Sequence, residues 1–424
     1  MRSVAIFITK LFLTGVARLL SRYSFFHINT SIIKPMCLWR MHGLFFYLER
    51  GKLMKKGMIM NKGGISTQVL LYFLIMMFLM VISCGGGGGG DAAPPTAAFT
   101  QADLTGTWNF TVFQTGSNPG WDRGTLTING SGDVHFATYE ATDGRAAAPD
   151  GAVKLTIDSS GVVTESGTGK ADESHCSLSA DKNTFVCVVT NGTEYSTRIG
   201  VKTTGVTFSN ADLTGPLSWN LHGITSGGSS ASDREWEYDA GTINSSRQVT
   251  VTEYQKPDGA QPLPTANSSM FSVGADGFVT MQHNGTPVAN WKGMLSSDKK
   301  MMVVTYRDGG SPEIYGFGIF TIADQTFSGV ADLAGNWKIF NLYGGNNFGW
   351  QWILATFDTS GVGSSTSFLD SLGNTTNGHQ GYSLSTGGIL TSTGSFIHGV
   401  LSHDRIVNIN TDSDTGYELM IWIR

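Results

Sequence analysis

From residue 99 onward, apolar and polar side chains alternate in short bursts. In Trp108-Asn-Phe110-Thr-Val112 the apolar residues share one face and the polar residues the other, and Gly124-Thr-Leu126-Thr-Ile128 repeats the pattern. A period of two belongs to antiparallel strands with one buried and one wet face. Gly, Asn and Asp punctuate the bursts, as the turns of a hairpin meander require. One stretch breaks the rule: Val69 to Ile82 is unbroken apolar sequence apart from the Tyr72 hydroxyl. It is shorter than the ~20 residues of a spanning helix.

The strand pattern is organised by a recurring phrase. It reads Phe99-Thr-Gln-Ala102-Asp103-Leu104-Thr-Gly106-Thr-Trp108, then Phe208-Ser-Asn-Ala211-Asp212-Leu213-Thr-Gly215 with Trp219, then Phe327-Ser-Gly-Val-Ala331-Asp332-Leu333-Ala-Gly335-Asn-Trp337. A second tryptophan follows each time (Trp121, Trp236, Trp350), and later a Leu-Ser turn carrying Asp181, Asp298 or Asp404. These landmarks divide the chain into repeats at 99–207, 208–326 and 327–424. A period of about 110 residues is a domain and not a solenoid unit of ~20–50 residues. The expectation is an all-β protein of three tandem antiparallel domains, each with about eight strands, the number that closes a small meander barrel. Sandwiches or one propeller-like array are the alternatives. Trp108, Trp219 and Trp337 are the expected repeat-defining core.

Charge separates the N-terminal region from the repeats. Of 28 Lys and Arg, 11 precede Cys84, against one acid of 33, which leaves 17 basic and 32 acidic residues and a net of −15. So acidic a chain, without a later basic cluster, argues against nucleic acid as a partner. Residues 54–83 have a basic start (Lys55, Lys56, Lys62), the apolar run, and Val81-Ile82-Ser83-Cys84 at its end. This resembles the signal peptide and lipobox of bacterial lipoproteins. The resemblance implies cleavage before Cys84, acylation of that cysteine, and a lipid bilayer as partner. Several acyl chains give firm anchoring where one is marginal. Six glycines (85–90) and Asp91-Ala-Ala-Pro-Pro-Thr follow, so 84–98 reads as a solvated tether. In Gram-negative lipoproteins an acid after the cysteine signals inner-membrane retention; Gly85 stands here, which implies the outer membrane, on either face.

Residues 1–53 precede the signal and are expected to be an upstream extension that is not normally made. A basic amphipathic segment with Lys10, Arg18 and Arg22 is the alternative.

Gly106-Thr-Trp108 and Gly335-Asn-Trp337 resemble the first strand of the lipocalin and avidin group. In that group the tryptophan plugs one end of an eight-stranded barrel, and an arginine of the last strand packs over it. Arg198 is placed for that part in repeat 1, whereas no arginine stands there in repeats 2 and 3. Repeat 2 departs further, with Gly215-Pro-Leu-Ser-Trp219. The resemblance transfers no ligand-binding residues.

Catalytic and metal motifs are missing from the sequence. There is no H-E-x-x-H, C-x-x-C or G-x-S-x-G, and the histidines after Cys84 (135, 175, 222, 283, 379, 398, 403) are scattered. His398 and His403 read as surface residues. No cofactor is expected and a non-enzyme is favoured. Glu235 and Glu237 around Trp236 suggest paired glycosidase acids, but repeats 1 and 3 lack them. Asp412-Ser-Asp414-Thr-Gly416 lacks the downstream Glu of a calcium loop and reads as a hairpin tip. The titratable residues that recur in step are Asp103/Asp212/Asp332, at domain entry, and Asp181/Asp298/Asp404, in a turn. Cys176 and Cys187 flank the turn at Asp181-Lys182, where a hairpin sets them opposite each other. Gly293 with Val304, and Gly399 with Asn410, stand at the matching places. A cross-strand disulfide in an oxidising compartment follows.

Two functions fit. In one, a tethered binding module holds a small or glycan ligand in a barrel mouth or on exposed Trp121, Trp236, Trp350 and Trp352. In the other, the repeats form a structural or adhesive surface protein. Sequencing the N-terminus of the unprocessed precursor, with acylation blocked, is expected to give Met54; a start at Met1 would contradict the reading of residues 1–53.

Overall fold

The computed structural model describes residues 98–424, apart from 229–233, 264–268, 324–325, 346–347, 376–378, 393–395, 403–404 and 412–415. Cys84, the signal peptide, the extension and Asp412-Ser-Asp414 therefore lie outside the described residues. Repeat 1 is a meander of β1 (Gly106–Gly116), β2 (Gly120–Ile128), β3 (Val134–Ala141), β4 (Lys154–Ile157), β5 (Val162–Ser166), β6 (Glu173–Leu178), β7 (Thr184–Asn191) and β8 (Glu194–Lys202). The sheet order is β3-β2-β1-β8-β7-β6-β5-β4. One bridge, Asp133 to Lys154, and the Val134 N–H bond to the Val153 carbonyl (3.0 Å) draw the two edges together. Repeat 2 has the same order, with two added two-residue strands, and its edges meet at Gln248 and Met270. Repeat 3 is a closed eight-stranded barrel. The fold is thus the expected all-β, antiparallel, eight-strand plan.

The recurring phrase makes a short helical turn that leads into each first strand. Asp103 accepts from the Thr100 N–H (2.8 Å), Asp212 from Ser209 (2.8 Å) and Asp332 from Ser328 (2.6 Å). These are the orphan donors a helix start leaves open. The leucine one residue later is buried in all three. The indole N–H of Trp108 donates to the Leu104 carbonyl (2.8 Å), and that of Trp337 to Leu333 (2.7 Å). In repeat 2 the tryptophan stands six residues after Leu213 instead of four, and Trp219 Nε1 is buried without a partner. The turn aspartates serve the same contact. The residue after each, Lys182 or Lys299, lies in the left-handed region and reaches Asp103 Oδ2 (3.0 Å) or Asp212 Oδ2 (3.4 Å).

Arg198 does not cover Trp108. It pairs in register with Val112, two layers away, whereas Lys202 stands opposite Trp108 with its ammonium 5.4 Å from the ring. Repeat 3 does have its cation: the Arg424 guanidinium lies 4.5 Å over Trp337. Favourable charge–quadrupole contact explains both.

Three clusters fill the barrel interiors, one per repeat. A fourth joins all three repeats, with Phe113, Val188 and Ile199 of repeat 1, Ile224, Val303 and Ile319 of repeat 2, and Leu342, Leu419 and Ile421 of repeat 3 among its members. They come from the first strand and the last two strands of each repeat. Those strands are covered on both faces, which is why β7, its counterpart Met301–Arg307 in repeat 2 and the last strand of repeat 3, Gly416–Ile423, carry apolar runs where other strands alternate. The outer face of β1 is accordingly not wet. Asn109 and Thr111 are buried, and Asn109 Nδ2 donates to the Asp276 carbonyl of repeat 2 (2.7 Å). β3, by contrast, keeps a solvated outer face.

Cys176 and Cys187 are bonded and stand directly opposite. Gly293 and Val304 pair as expected, but Gly399 pairs with Asn408 and not Asn410, because Leu401 and Ile406 are two residues closer along the chain than Leu178 and Phe185.

Candidate functional site

The second tryptophan of each repeat is not an exposed platform. Trp121, Trp236 and Trp350 are 2%, 6% and 0% exposed and belong to the shared cluster. Trp121 Nε1 donates to the Tyr306 carbonyl of repeat 2 (3.1 Å), and Trp350 Nε1 to Thr190 Oγ1 of repeat 1 (2.8 Å). Arg123 lies 4.0 Å over Trp121, donates to Thr305 Oγ1 (3.1 Å) and pairs with Glu140 (2.8 Å). These indoles wedge one repeat against another. Trp352 is half-buried, stacked on His175 (5.3 Å between rings), and forms one wall of a shallow cleft of about 260 Å³ with Lys170, Asp172 and Cys176.

A better candidate lies inside repeat 1, where a cavity of about 260 Å³ opens along the barrel. Register explains the space. Phe110 faces Gly124 on β2 and Gly200 on β8. The corresponding layer of repeat 2 holds Leu221, Asp239 and Phe320, and that of repeat 3 holds Ile339, Ile353 and Trp422. Repeats 2 and 3 put a large ring where repeat 1 has glycine. The freed volume at Gly200 is partly taken by Phe185, whose ring would lie 2.0 Å from an added Cβ. Val112 is only half-buried although it sits mid-strand, because the cavity opens beside it.

The cavity is apolar below and charged above. Phe110, Leu126, Phe136, Leu155 and Phe185 line the lower part. One layer up, Asp122 and Arg198 flank Val112 in register. Arg145 binds Asp122 Oδ2 (2.6 Å) and also donates to Tyr139 Oη and Gln114. Arg198 NH1 meets both oxygens of Glu165 (3.1 and 3.2 Å), whose carboxylate also accepts from the Ala171 N–H (3.2 Å). Burial pushes the Asp122 carboxyl up, with Arg145 opposing it, and burial with the Asp122 charge pushes Tyr139 up to about 12. At the rim, Gln114 Nε2 donates to Glu194 Oε2 (3.0 Å).

A related arrangement occupies repeat 2. Glu237 follows Trp236 as Asp122 follows Trp121, and Tyr254 faces Asp239 as Tyr139 faces Gly124. An acid after the second tryptophan therefore does recur in register in two repeats, with Gln351 in the third; this signal was available in the sequence. Tyr306 Oη donates to Glu237 Oε1 (3.4 Å), and Lys256 pairs with Glu235. Burial pushes Glu237 up, and burial with the Glu237 charge pushes Asp239 up to about 8, Lys256 opposing both. Among the described residues no group of three His, Cys, Asp or Glu side chains is placed to hold a metal. His222 is buried, and His135 pairs with Asp150. The side chains of His379, His398 and His403 lie outside the described residues. Glu235 and Glu237 share this repeat 2 cluster, with Lys256 bonded to one and Tyr306 to the other.

No protein-family model matches the sequence, and no curated protein matches it. Among solved structures, the chain is similar to an isotype 1 transferrin binding protein B of Neisseria meningitidis serogroup B, at 10% identity and TM-score 0.23. The match covers 72% of this chain and 65% of the Neisseria chain, so the chain spans less than two thirds of that structure. A DUF3598-family protein of unknown function from Nostoc punctiforme matches at 8% identity and TM-score 0.18, over 77% of this chain and 99% of the other. Neither likeness identifies a function. No helix among the described residues is long and apolar enough to cross a membrane.

Asp239 generates a pH dependence with a defined sign. Its folded-state pKa is raised, so its contribution to stability is fully present below the usual carboxylate range and is lost as pH rises toward 8. Wild-type protein should lose stability between pH 5 and 7.5 with a slope of up to about 1 kcal/mol per pH unit from this group. Asp239→Asn should flatten that slope in urea unfolding; equal slopes in both proteins would contradict the assignment. Lys338, which burial lowers to about 8, changes its charge mostly above this window.

Proposed function

We propose that this chain is a lipid-anchored, extracytoplasmic binding protein whose repeat 1 barrel holds a small ligand with an apolar body and a polar head. The cavity between Phe110 and the charged layer at Asp122 and Arg198 carries the reading. A site with an apolar wall and a few converging polar groups is what small-molecule recognition uses. The volume suits a compact ligand or part of a longer one. Cys84 and the glycine tether supply the anchor, in the outer membrane, and the disulfide accords with an oxidising compartment.

The structural or adhesive alternative draws support from the shared cluster, which makes repeats 2 and 3 a scaffold for repeat 1. The scaffold interiors are filled by rings: Phe271, Trp291 and Phe320 in repeat 2, and Trp337, Phe357, Tyr382 and Trp422 in repeat 3.

Fluorescence titration with N-phenyl-1-naphthylamine, a neutral apolar probe, tests the site. Val112→Trp places an indole in the cavity and should abolish a binding isotherm that Trp352→Ala leaves intact. Undiminished binding in Val112→Trp, or loss only in Trp352→Ala, would contradict the assignment. Palmitate labelling that survives Cys84→Ala would remove the anchor.

A further inference from the structure

The head group that the repeat 1 cavity accepts is written in its unpaired charges. Five ionisable side chains other than tyrosine line it: Asp122, Glu165 and Glu194 against Arg145 and Arg198, a net of −1. Both guanidinium groups are already held by carboxylates, Arg145 by Asp122 and Arg198 by Glu165. Glu194 has Gln114, an uncharged donor, as its bonded partner. Asp122 supplies a second, independent sign. Its side chain is 8% exposed, and Arg145 and Tyr139 both donate to Oδ2, while Oδ1 is buried with no hydrogen-bond partner. A buried acceptor without a donor is costly unless something else supplies one.

Both residues line the upper part of the cavity. Glu194 pairs in register with Gly116 at the end of β1, and Asp122 with Val112, so they stand at the rim and two layers below it. The apolar wall at Phe110, Phe136 and Leu155 lies below both. Resting on the proposed binding function, we infer that the ligand is a cationic amphiphile, its protonated amine at the Glu194 carboxylate, above the Asp122 layer, and its hydrocarbon part among the phenylalanines. A carboxylate head would meet a net negative mouth whose arginines are taken. An alcohol would satisfy an acceptor without neutralising the charge.

Displacement of N-phenyl-1-naphthylamine from the purified full chain by octylamine, octan-1-ol and octanoate, at pH 7 and low salt, separates these heads. Octylamine is expected to displace best, octan-1-ol less well and octanoate least. Glu194→Gln should keep its affinity for the neutral probe, which shows the cavity intact, and lose about fivefold in octylamine affinity, the scale of a partly exposed ion pair. Octanoate binding as tightly as octylamine, or Glu194→Gln leaving the amine preference unchanged, would overturn the inference while the binding function stands. Failure of the probe to bind wild-type protein would overturn the binding function itself.

Discussion

The structure depends on one constraint: in each repeat, the first strand and the last two strands are buried on both faces. An isolated barrel needs apolar residues on its inner face only. Here the outer faces of those strands meet in a shared cluster, so each repeat completes the burial of the others. Polar residues trapped at that junction are paired across it, as Asn109 is with Asp276 and the Tyr417 hydroxyl is with the Thr225 carbonyl (2.5 Å). Such groups would be costly if left unmet. The second tryptophans contribute large apolar area and a single N–H, which suits them to a junction where one end must be dry and the other bonded.

Fusion on the outer faces leaves the interiors free to diverge. Repeats 2 and 3 use theirs for packing, with Phe320 and Trp422 filling the layer where repeat 1 has Gly200. Repeat 1 keeps a cavity with two ion pairs in its wall. The charged layer is tied to the sheet by register and to the β5–β6 connection by Glu165, which bonds both Arg198 and the Ala171 N–H. The disulfide lies in the same wall, since Cys187 lines the cavity and Cys176 the neighbouring cleft. It closes a short loop beside the place where β5 and β6 pair at only two positions. A covalent tie there stabilises the sheet by limiting the unfolded chain.

Much of the fold was legible in the sequence because its signals are local. Strand alternation, turn residues and the Ala-Asp-Leu phrase each act within a few positions, and the disulfide register follows from counting across one turn. What escaped was tertiary. The run Phe185-Val-Cys-Val-Val signals a strand covered on both sides, but only the neighbouring repeat shows what covers it. Trp121, Trp236 and Trp350 follow glycine-rich loops, a setting that fits a platform as well as a wedge. Arg198 lies two layers along from Trp108, and the cations over Trp108 and Trp337 are Lys202 and Arg424. Asp122 and Glu237 were visible as acids after the second tryptophan, yet their meaning depends on Gly124 and Gly200 facing Phe110, a fact of register between distant strands.

A core shared by all three repeats is expected to make them one cooperative unit. Hydrogen exchange of wild type and Trp350→Ala, read peptide by peptide, tests it most directly. Removing a fully buried indole should cost about 3–5 kcal/mol. If the repeats share one core, protection should fall across the strands of repeat 3 and also at Thr184–Asn191 of repeat 1, against which Trp350 is bonded. Loss of protection confined to residues 335–423, with repeats 1 and 2 exchanging as before, would show three independent domains and contradict the account.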